Sequence, residues 1–253
     1  MTGTVLITGG QRGIGLGIAK VLSQADFRLA LASRSAPDHP DVAAALESLG
    51  PEARYYANDI ADIGQRGALL DRIEAEQGPI TTLVSNAGVG SRVRGDLLDI
   101  TPENFDFVMG VNLRGAFFLA RDVARRMLAR EDVDTYRSIV FVTSISAKMV
   151  SINRADYCVS KAAASAAASH FAARLAPAGI GVFEIQPGII ETPMTDGVHA
   201  DYTPRIEGGL VPASRWGQPS DIAEAILPMV EGRMAFATGA AVPIDGGLSI
   251  PRL

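Results

Sequence analysis

A single cysteine, Cys158, stands in this chain of 253 residues. An internal disulfide and a cysteine metal cluster are thereby excluded. Histidine is nearly as scarce: His39, His170 and His199 are scattered, and none falls at metal-ligand spacing from another. Nor is there a basic cluster able to follow a phosphate backbone. The formal net charge is −5, so nucleic acid is not an expected partner. No apolar run reaches the ~18 residues of a membrane-spanning helix. The opening residues, Met-Thr-Gly-Thr-Val-Leu-Ile-Thr-Gly-Gly, have neither the basic start nor the apolar core of a signal peptide. Linkers and repeats are missing as well. What remains is 47% hydrophobic and 20% charged, an ordinary globular composition, long enough for one large α/β domain. The expectation is a cytoplasmic, metal-free protein with neither a membrane nor a nucleic-acid partner.

The organisation inside these bounds is an alternation. Short β-branched or apolar runs at residues 4–8, 28–32, 53–57, 81–84, 138–143, 181–186 and 241–244 read as strands. Between them lie helical patterns at 18–22, 41–49, 61–77, from Thr101 to about Arg130, from Tyr157 through Leu175, and at 220–231. Thr101-Pro102-Glu103 opens one of these with a capping hydroxyl and a first-turn proline. Residues 131–134 read as a polar loop. Residues 191–216, with weak periodicity and several Pro and Gly, read as a mobile insertion. Most strands are continuous apolar runs, and the crossovers are long enough for parallel pairing. The expected fold is α/β: a Rossmann-type doubly wound parallel sheet with helices on both faces, in one domain over residues 1–253. Ligands of such sheets bind beyond the carboxyl ends of the strands, so the turns that follow strands are the candidate site.

The first of these turns is Thr8-Gly9-Gly10-Gln11-Arg12-Gly13-Ile14-Gly15, between a strand and a helix. Glycines permit a tight turn and close backbone approach, and the helix N-terminus presents free N–H groups to a phosphate. The literal G-x-G-x-x-G is absent; the spacing is Thr8-Gly9-x-x-x-Gly13-x-Gly15, and a plain structural bend is the competing reading. About 20 residues on, where an NAD-binding turn places an acid on the ribose hydroxyls, stand Ser33 and Arg34. A guanidinium suits a 2′-phosphate, and Arg12 is within reach of the same group; the alternative is a pair of solvated loop arginines. Asp59 and Ile60 leave the third strand, Asn86-Ala87-Gly88 the fourth, Ser144 the fifth and Pro187-Gly188 the sixth. Tyr157 and Lys161, four positions apart in a run free of Gly and Pro, stack one turn apart on one helix face. A phenol alone is a poor proton carrier at neutral pH, and a neighbouring ammonium favours its anion, so the pair is a candidate acid–base catalyst. By spacing alone it is also an ordinary surface pair. Cys158 beside it reads as a small packing residue.

Together, Thr8-Gly9-x-x-x-Gly13-x-Gly15, Asp59, Asn86-Ala87-Gly88, Asn112, Ser144, Tyr157-x-x-x-Lys161, Pro187-Gly188 with Thr192, and Asp245-Gly246-Gly247 resemble the short-chain dehydrogenase/reductase family over nearly the full length. The resemblance implies an oxidoreductase that interconverts a ketone and a secondary alcohol with NADP(H), NAD(H) being the other possible cofactor. It implies that Tyr157 exchanges a proton with the substrate oxygen and Ser144 hydrogen-bonds that oxygen. Lys161 then binds the nicotinamide ribose and favours the Tyr157 phenolate, and Asn112 holds a relay water. Gly9, Gln11, Arg12, Gly13, Ile14 and Gly15 are the implied phosphate turn, with Ser33 and Arg34 at the adenosine ribose. Asp59 and Ile60 flank adenine, and Asn86, Ala87 and Gly88 line the cofactor. Pro187 and Gly188 belong to the same set, with Ile190 and Thr192 near the nicotinamide amide.

Within the family the pattern is similar to 3-oxoacyl-acyl-carrier-protein reductases, with polyol- and sugar-oxidising relatives as the alternative. Carrier-reading relatives tend to carry Arg just before Gly-Ile at the end of the catalytic helix. This chain has Ala178 there, and Thr135 at a second basic position with Arg137 two places on. Both departures count against docking of acyl carrier protein. A homotetramer is also implied, with the face Ala163, Ala164, Ala167, Ala168 and Phe171 small enough for close approach of helices. The alternative of another class is a nucleotide-sensing protein without turnover. Such proteins usually lose the Tyr or the Lys, and here all four catalytic positions are filled.

Overall fold

The computed structural model describes residues 3–130 and 135–252; the expected polar loop at 131–134 lies outside the described residues. Among these, seven strands form one parallel sheet: β1 (Thr4–Thr8), β2 (Arg28–Ser33), β3 (Ala53–Ala57), β4 (Ile80–Ser85), β5 (Arg137–Val142), β6 (Ile180–Pro187) and β7 (Ala241–Ile244). Their order is β3-β2-β1-β4-β5-β6-β7. The chain runs outward in one direction from β1 and then in the other from β4. That reversal opens a crevice between the carboxyl ends of β1 and β4, where doubly wound sheets bind ligands.

Side chains alternate across the sheet, so each strand feeds two cores. On one face Leu6, Ala30, Leu83, Ile139 and Val182 pack with α3 (Arg66–Gln77), α5 (Ala116–Leu128) and α6 (Ala155–Leu175). On the other Val5, Ile7, Leu29, Leu31, Val140 and Ile185 pack with α1 (Gly13–Gln24), α2 (Pro40–Leu49) and α8 (Pro219–Val230). Every residue of β1 is buried, which is why the run carries no polar alternation. The Thr101 hydroxyl accepts from the Asn104 N–H at 3.3 Å and starts α4 (Pro102–Met109), as its sequence indicates.

The structure departs from the sequence reading at four places. The helix expected over 61–77 begins only at Arg66, because Asp59 and Asp62 close Asx turns on the N–H groups of Ala61 and Gly64, each at 2.9 Å. The long helix expected from Thr101 is interrupted by a π-helical turn at Gly110–Gly115, which contains Asn112. Residues 191–216 contain a helix of their own, α7 (His199–Glu207). Trp216 lies flat on His199 with ring centroids 4.6 Å apart and donates to the Thr203 hydroxyl at 3.1 Å. Stacking between residues 17 positions apart leaves no local period to read. Finally, Ala164, Ala167 and Ala168 are buried inside the subunit, and Phe171 packs between Phe117 and Phe141. Most of that face therefore serves this chain's own core, while Ala163 and Phe171 stay partly exposed.

One buried ion pair ties α3 to α5. Arg66 Nε lies 2.9 Å from Asp122, which Arg121 also meets at 2.7 Å. Burial pushes the Asp122 carboxyl up, but hydrogen bonds from the two guanidinium groups outweigh it and hold the group below its ordinary value. A depressed folded-state pKa contributes stability above the unfolded value, near pH 4, that is lost as pH falls through the lower folded value. Asp122→Asn is therefore expected to melt below the parent at pH 7, with a gap that narrows as the pH drops below about 4. Thermal unfolding followed across pH checks this; a gap independent of pH would contradict it.

Candidate active site

Thr8, the last residue of β1, organises the crevice. Its hydroxyl accepts from the N–H groups of Asn86 and Ala87 at 3.0 and 2.9 Å, and the Asn86 amide donates back to the Thr8 carbonyl at 2.9 Å. The glycine turn is thereby fixed against the turn after β4. Gly9 and Gly13 have φ of +68° and +54°, backbone that favours glycine. A Cβ on Gly15 would stand 2.2 Å from the Gly9 carbonyl oxygen and 2.8 Å from Asn86 Nδ2, so the turn can pack only on a bare backbone. Gly13 faces Thr192. Gln11 is buried, and its Oε1 lacks a hydrogen-bond partner among the described residues. A cradle of this kind at a helix N-terminus, with one orphaned acceptor, fits a dinucleotide.

The turn after β2 is also defined. The Tyr55 hydroxyl donates to the Ser35 carbonyl at 2.7 Å and lies 2.7 Å from the Ser33 hydroxyl. Burial pushes the Tyr55 phenol up. Arg34 is exposed and makes no ion pair among the described residues, whereas Arg12 lies 3.6 Å from Asp41. The two arginines thus differ, since Arg12 already has a partly exposed carboxylate beside it. Asp59 is exposed and Ile60 is buried. Gly188 donates to Ile244 at 3.0 Å and packs against Asp245, which pins the end of β6 to the Asp245-Gly246-Gly247 turn.

The four candidate catalytic residues, Asn112, Ser144, Tyr157 and Lys161, form one corner. Lys161, 6% exposed, donates from Nζ to the Val142 carbonyl at 3.2 Å, so the middle of α6 is tied to the end of β5 two residues before Ser144. The same ammonium lies 5.8 Å from the centroid of the Tyr157 ring. A Cβ on Gly88 would stand 3.4 Å from both Lys161 Nζ and Asn112 Oδ1, so Gly88, Asn112 and Lys161 meet. Asn112 donates to the Val89 carbonyl and the Ser160 hydroxyl, at 2.9 and 3.0 Å, and accepts from the Val89 N–H at 2.8 Å. Both N–H groups of its amide are thereby taken, and it sits inside the π turn. Ser144 caps a short 3-10 turn, Ile145–Ala147, that packs on α6. Its oxygen accepts from the Ser146 N–H at 3.0 Å, which leaves the hydroxyl proton free to donate. The Tyr157 phenol, half-buried, makes no hydrogen bond to any described residue.

Sequence reasoning missed the supports of this corner. Asp156, 1% exposed, accepts from the Ser91 hydroxyl, from Asn104 Nδ2 at 2.6 Å and from the Tyr157 N–H at 2.8 Å. It joins the loop after β4, α4 and the start of α6. Glu184, 3% exposed, accepts from Thr143, from Ser165 at 2.8 Å and from Gln186 at 2.9 Å. An acid one position before Tyr157 was the only signal, and it does not show its partners. Arg137 donates to the carbonyls of Met127 and Ala178, so its guanidinium is engaged by this chain's own backbone. No group of three or more candidate metal ligands occurs among the described residues, and no described helix is long and apolar enough to cross a membrane.

Residues 9–249 match the short-chain dehydrogenase family model whose description reads enoyl-(acyl carrier protein) reductase. The chain belongs to the short-chain dehydrogenase/reductase family. The 3-oxoacyl-[acyl-carrier-protein] reductase MabA of Mycobacterium tuberculosis is 31% identical over 251 residues, covering 98% of this chain and 93% of MabA. A 3-oxoacyl-[acyl-carrier protein] reductase from Brucella melitensis, solved in complex with NAD, superposes with a TM-score of 0.95 at 45% identity, over 100% of this chain and 99% of that one. A putative 2-deoxy-D-gluconate 3-dehydrogenase from Agrobacterium tumefaciens with bound NADP superposes at 0.85 with 29% identity, over 97% and 95% of the two chains. This short-chain dehydrogenase/reductase is thus an oxidoreductase that resembles the 3-oxoacyl reductases and shares its fold with sugar-acid dehydrogenases.

Proposed function

We propose that this enzyme interconverts a ketone and a secondary alcohol with NADP(H), and that Tyr157, Ser144, Lys161 and Asn112 carry the chemistry. The observation that carries the reading is the unpartnered Tyr157 phenol beside the buried Lys161 ammonium. A polar group left without a protein partner at the mouth of a crevice is available to a substrate oxygen. Ser144, with its lone pair taken by Ser146 N–H, donates to the same oxygen. Lys161 keeps two N–H donors beyond the one held by Val142, free for the nicotinamide ribose. Asn112, held in place by Val89 and Ser160, is the residue that holds a relay water. The nicotinamide, when bound, gives or takes the hydride.

Support for the phosphate-bearing cofactor comes from Arg34, exposed and unpaired, and from Ser33 in the place of an acid. The relatives include one crystallised with NAD and others with NADP or NADPH. Arg34→Ala is expected to lower NADPH affinity roughly ten- to a hundredfold, the equivalent of about 1.5–3 kcal/mol for one charge-assisted bond, with NADH affinity little changed. Fluorescence titration of both cofactors checks it. A parent that prefers NADH, or an equal loss with both, would contradict the assignment.

The substrate reading favours 3-oxoacyl-thioester-like ketones, with sugar acids and polyols as the second reading, supported by the gluconate-type structural neighbours. Residues 191–216 form the substrate-facing segment. The proposed setting is cytoplasmic and the proposed assembly a homotetramer, its helix face supplied by exposed side chains such as Phe105 and Phe117. NADPH absorbance followed against ketones, 3-oxoacyl thioesters and sugar alcohols tests the activity; a screen with no turnover would leave a nucleotide-sensing protein as the reading.

A further inference from the structure

Two loops frame the mouth above Tyr157, residues 86–95 after β4 and residues 144–154 after β5. Between them they contain Arg92, Arg94, Lys148 and Arg154, and no Asp or Glu. The loops are stitched together by the Gly95 N–H donating to the Asn153 carbonyl at 3.3 Å, which brings the backbone next to Arg94 close to the backbone next to Arg154. Arg92 is turned onto Phe107, its guanidinium carbon 3.6 Å from the ring centroid. Arg154 is turned onto the catalytic ring, its guanidinium carbon 5.4 Å from the centroid of Tyr157. Tyr157 therefore has two cations near its ring, the buried Lys161 and the partly exposed Arg154.

None of these four cations forms an ion pair among the described residues. The nearby acids are engaged elsewhere. Asp156 is buried and bound to Ser91, Asn104 and the Tyr157 N–H. Asp96 caps its own turn on the Leu98 N–H at 2.9 Å. Across the crevice Glu191 pairs with His199 and accepts from Gln218. A guanidinium held by stacking on a ring keeps all its N–H donors for a ligand, and its planar fork matches a carboxylate.

We infer that the substrate is an oxo or hydroxy compound carrying an anionic group, which Arg154 binds, with Arg94 beside it, while Tyr157 and Ser144 hold the reacting oxygen. This deepens the oxidoreductase reading and rests on it. The anion is a carboxylate close to the reacting carbon, because a guanidinium 5.4 Å from the Tyr157 ring does not reach the phosphate at the far end of an extended thioester arm.

The test compares kcat/KM for short-chain 3-oxo and 4-oxo carboxylates with kcat/KM for their methyl esters, and for a 3-oxoacyl coenzyme A thioester with the phosphate-free N-acetylcysteamine thioester. The parent with NADPH is expected to prefer the charged member of the carboxylate pair tenfold or more. That ratio should collapse toward one in Arg154→Gln and be partly kept in Arg154→Lys, with the change mostly in KM. A ratio confined to the thioester pair would overturn the assignment of a carboxylate to Arg154. Neutral members turned over as well as charged ones by the parent, or a ratio unchanged in Arg154→Gln, would overturn the inference and leave the oxidoreductase reading intact. If no member of the panel consumes NADPH, the oxidoreductase reading fails. Calorimetric titration of the protein–NADPH complex with 4-oxopentanoate and its methyl ester then decides for the anion: tighter acid binding lost in Arg154→Gln supports it, and equal or absent binding of the acid overturns it.

Discussion

Tyr157→Phe is expected to lower kcat by roughly a hundred- to ten-thousandfold, the range that general acid–base catalysis contributes, with cofactor affinity and melting temperature nearly unchanged. The structure separates the two effects. The ring is the part of Tyr157 that touches Lys161 and Arg154, and Phe retains it. The phenol oxygen has no partner among the described residues, so its loss leaves no buried donor or acceptor orphaned. A residue with a structural role would show the opposite pattern, a falling melting temperature with a modest change in rate. Turnover within about tenfold of the parent, only ~1.4 kcal/mol of barrier, would remove Tyr157 from the chemistry.

The second large effect belongs to the glycine turn. In Gly15→Ala the new methyl would stand 2.2 Å from a backbone oxygen, Gly9 O, and 2.8 Å from Asn86 Nδ2. Neither neighbour can yield alone. Gly9 is held by its N–H on the Ala32 carbonyl at 2.7 Å, and Asn86 by its amide on Thr8. Overpacking of a rigid site costs about 3 kcal/mol at the upper end of its usual range, equivalent to roughly a hundredfold. Cofactor affinity is therefore expected to drop by about that factor or more, accompanied by a lower melting temperature. Titration of the variant with NADPH and NADH together with a thermal melt reads both. Affinity within a few-fold of the parent would mean that the turn is a structural bend and not a cofactor cradle.

Much of this was legible in the chain because it is local. The bounds of β1, β3 and β7 coincide with the runs that suggested them; β1 is buried throughout, as a central parallel strand is, while β3 and β7 are edge strands that keep exposed residues and are bounded by turns. The glycine turn, Ser144, Tyr157 and Lys161 could be read because spacing along one chain places them at strand ends and on one helix face. What could not be read depends on partners far away in sequence. The π turn at Asn112 changes the hydrogen-bond register without altering which residues are apolar. The late start of α3 follows from Asp59 and Asp62 choosing turns over helix. Asp156 and Glu184 are ordinary acids in sequence, and only the fold brings Ser91, Asn104, Thr143 and Ser165 to them. The alanine face of α6 is small for the sake of the subunit's own core, a use that sequence alone does not distinguish from an interface.

The central claim is that the corner formed by Tyr157, Ser144, Lys161 and Asn112 turns a carbonyl into an alcohol. It is tested most directly by a single turnover with NADPH deuterated at the transferable position of the nicotinamide, run against the carbonyl panel and read by mass spectrometry of the product. The account predicts one deuterium on the new carbinol carbon with the parent enzyme and little or none with Tyr157→Phe at equal cofactor occupancy. Cofactor bound to the parent with no label passed to any carbonyl, or equal label passed by both proteins, would contradict it.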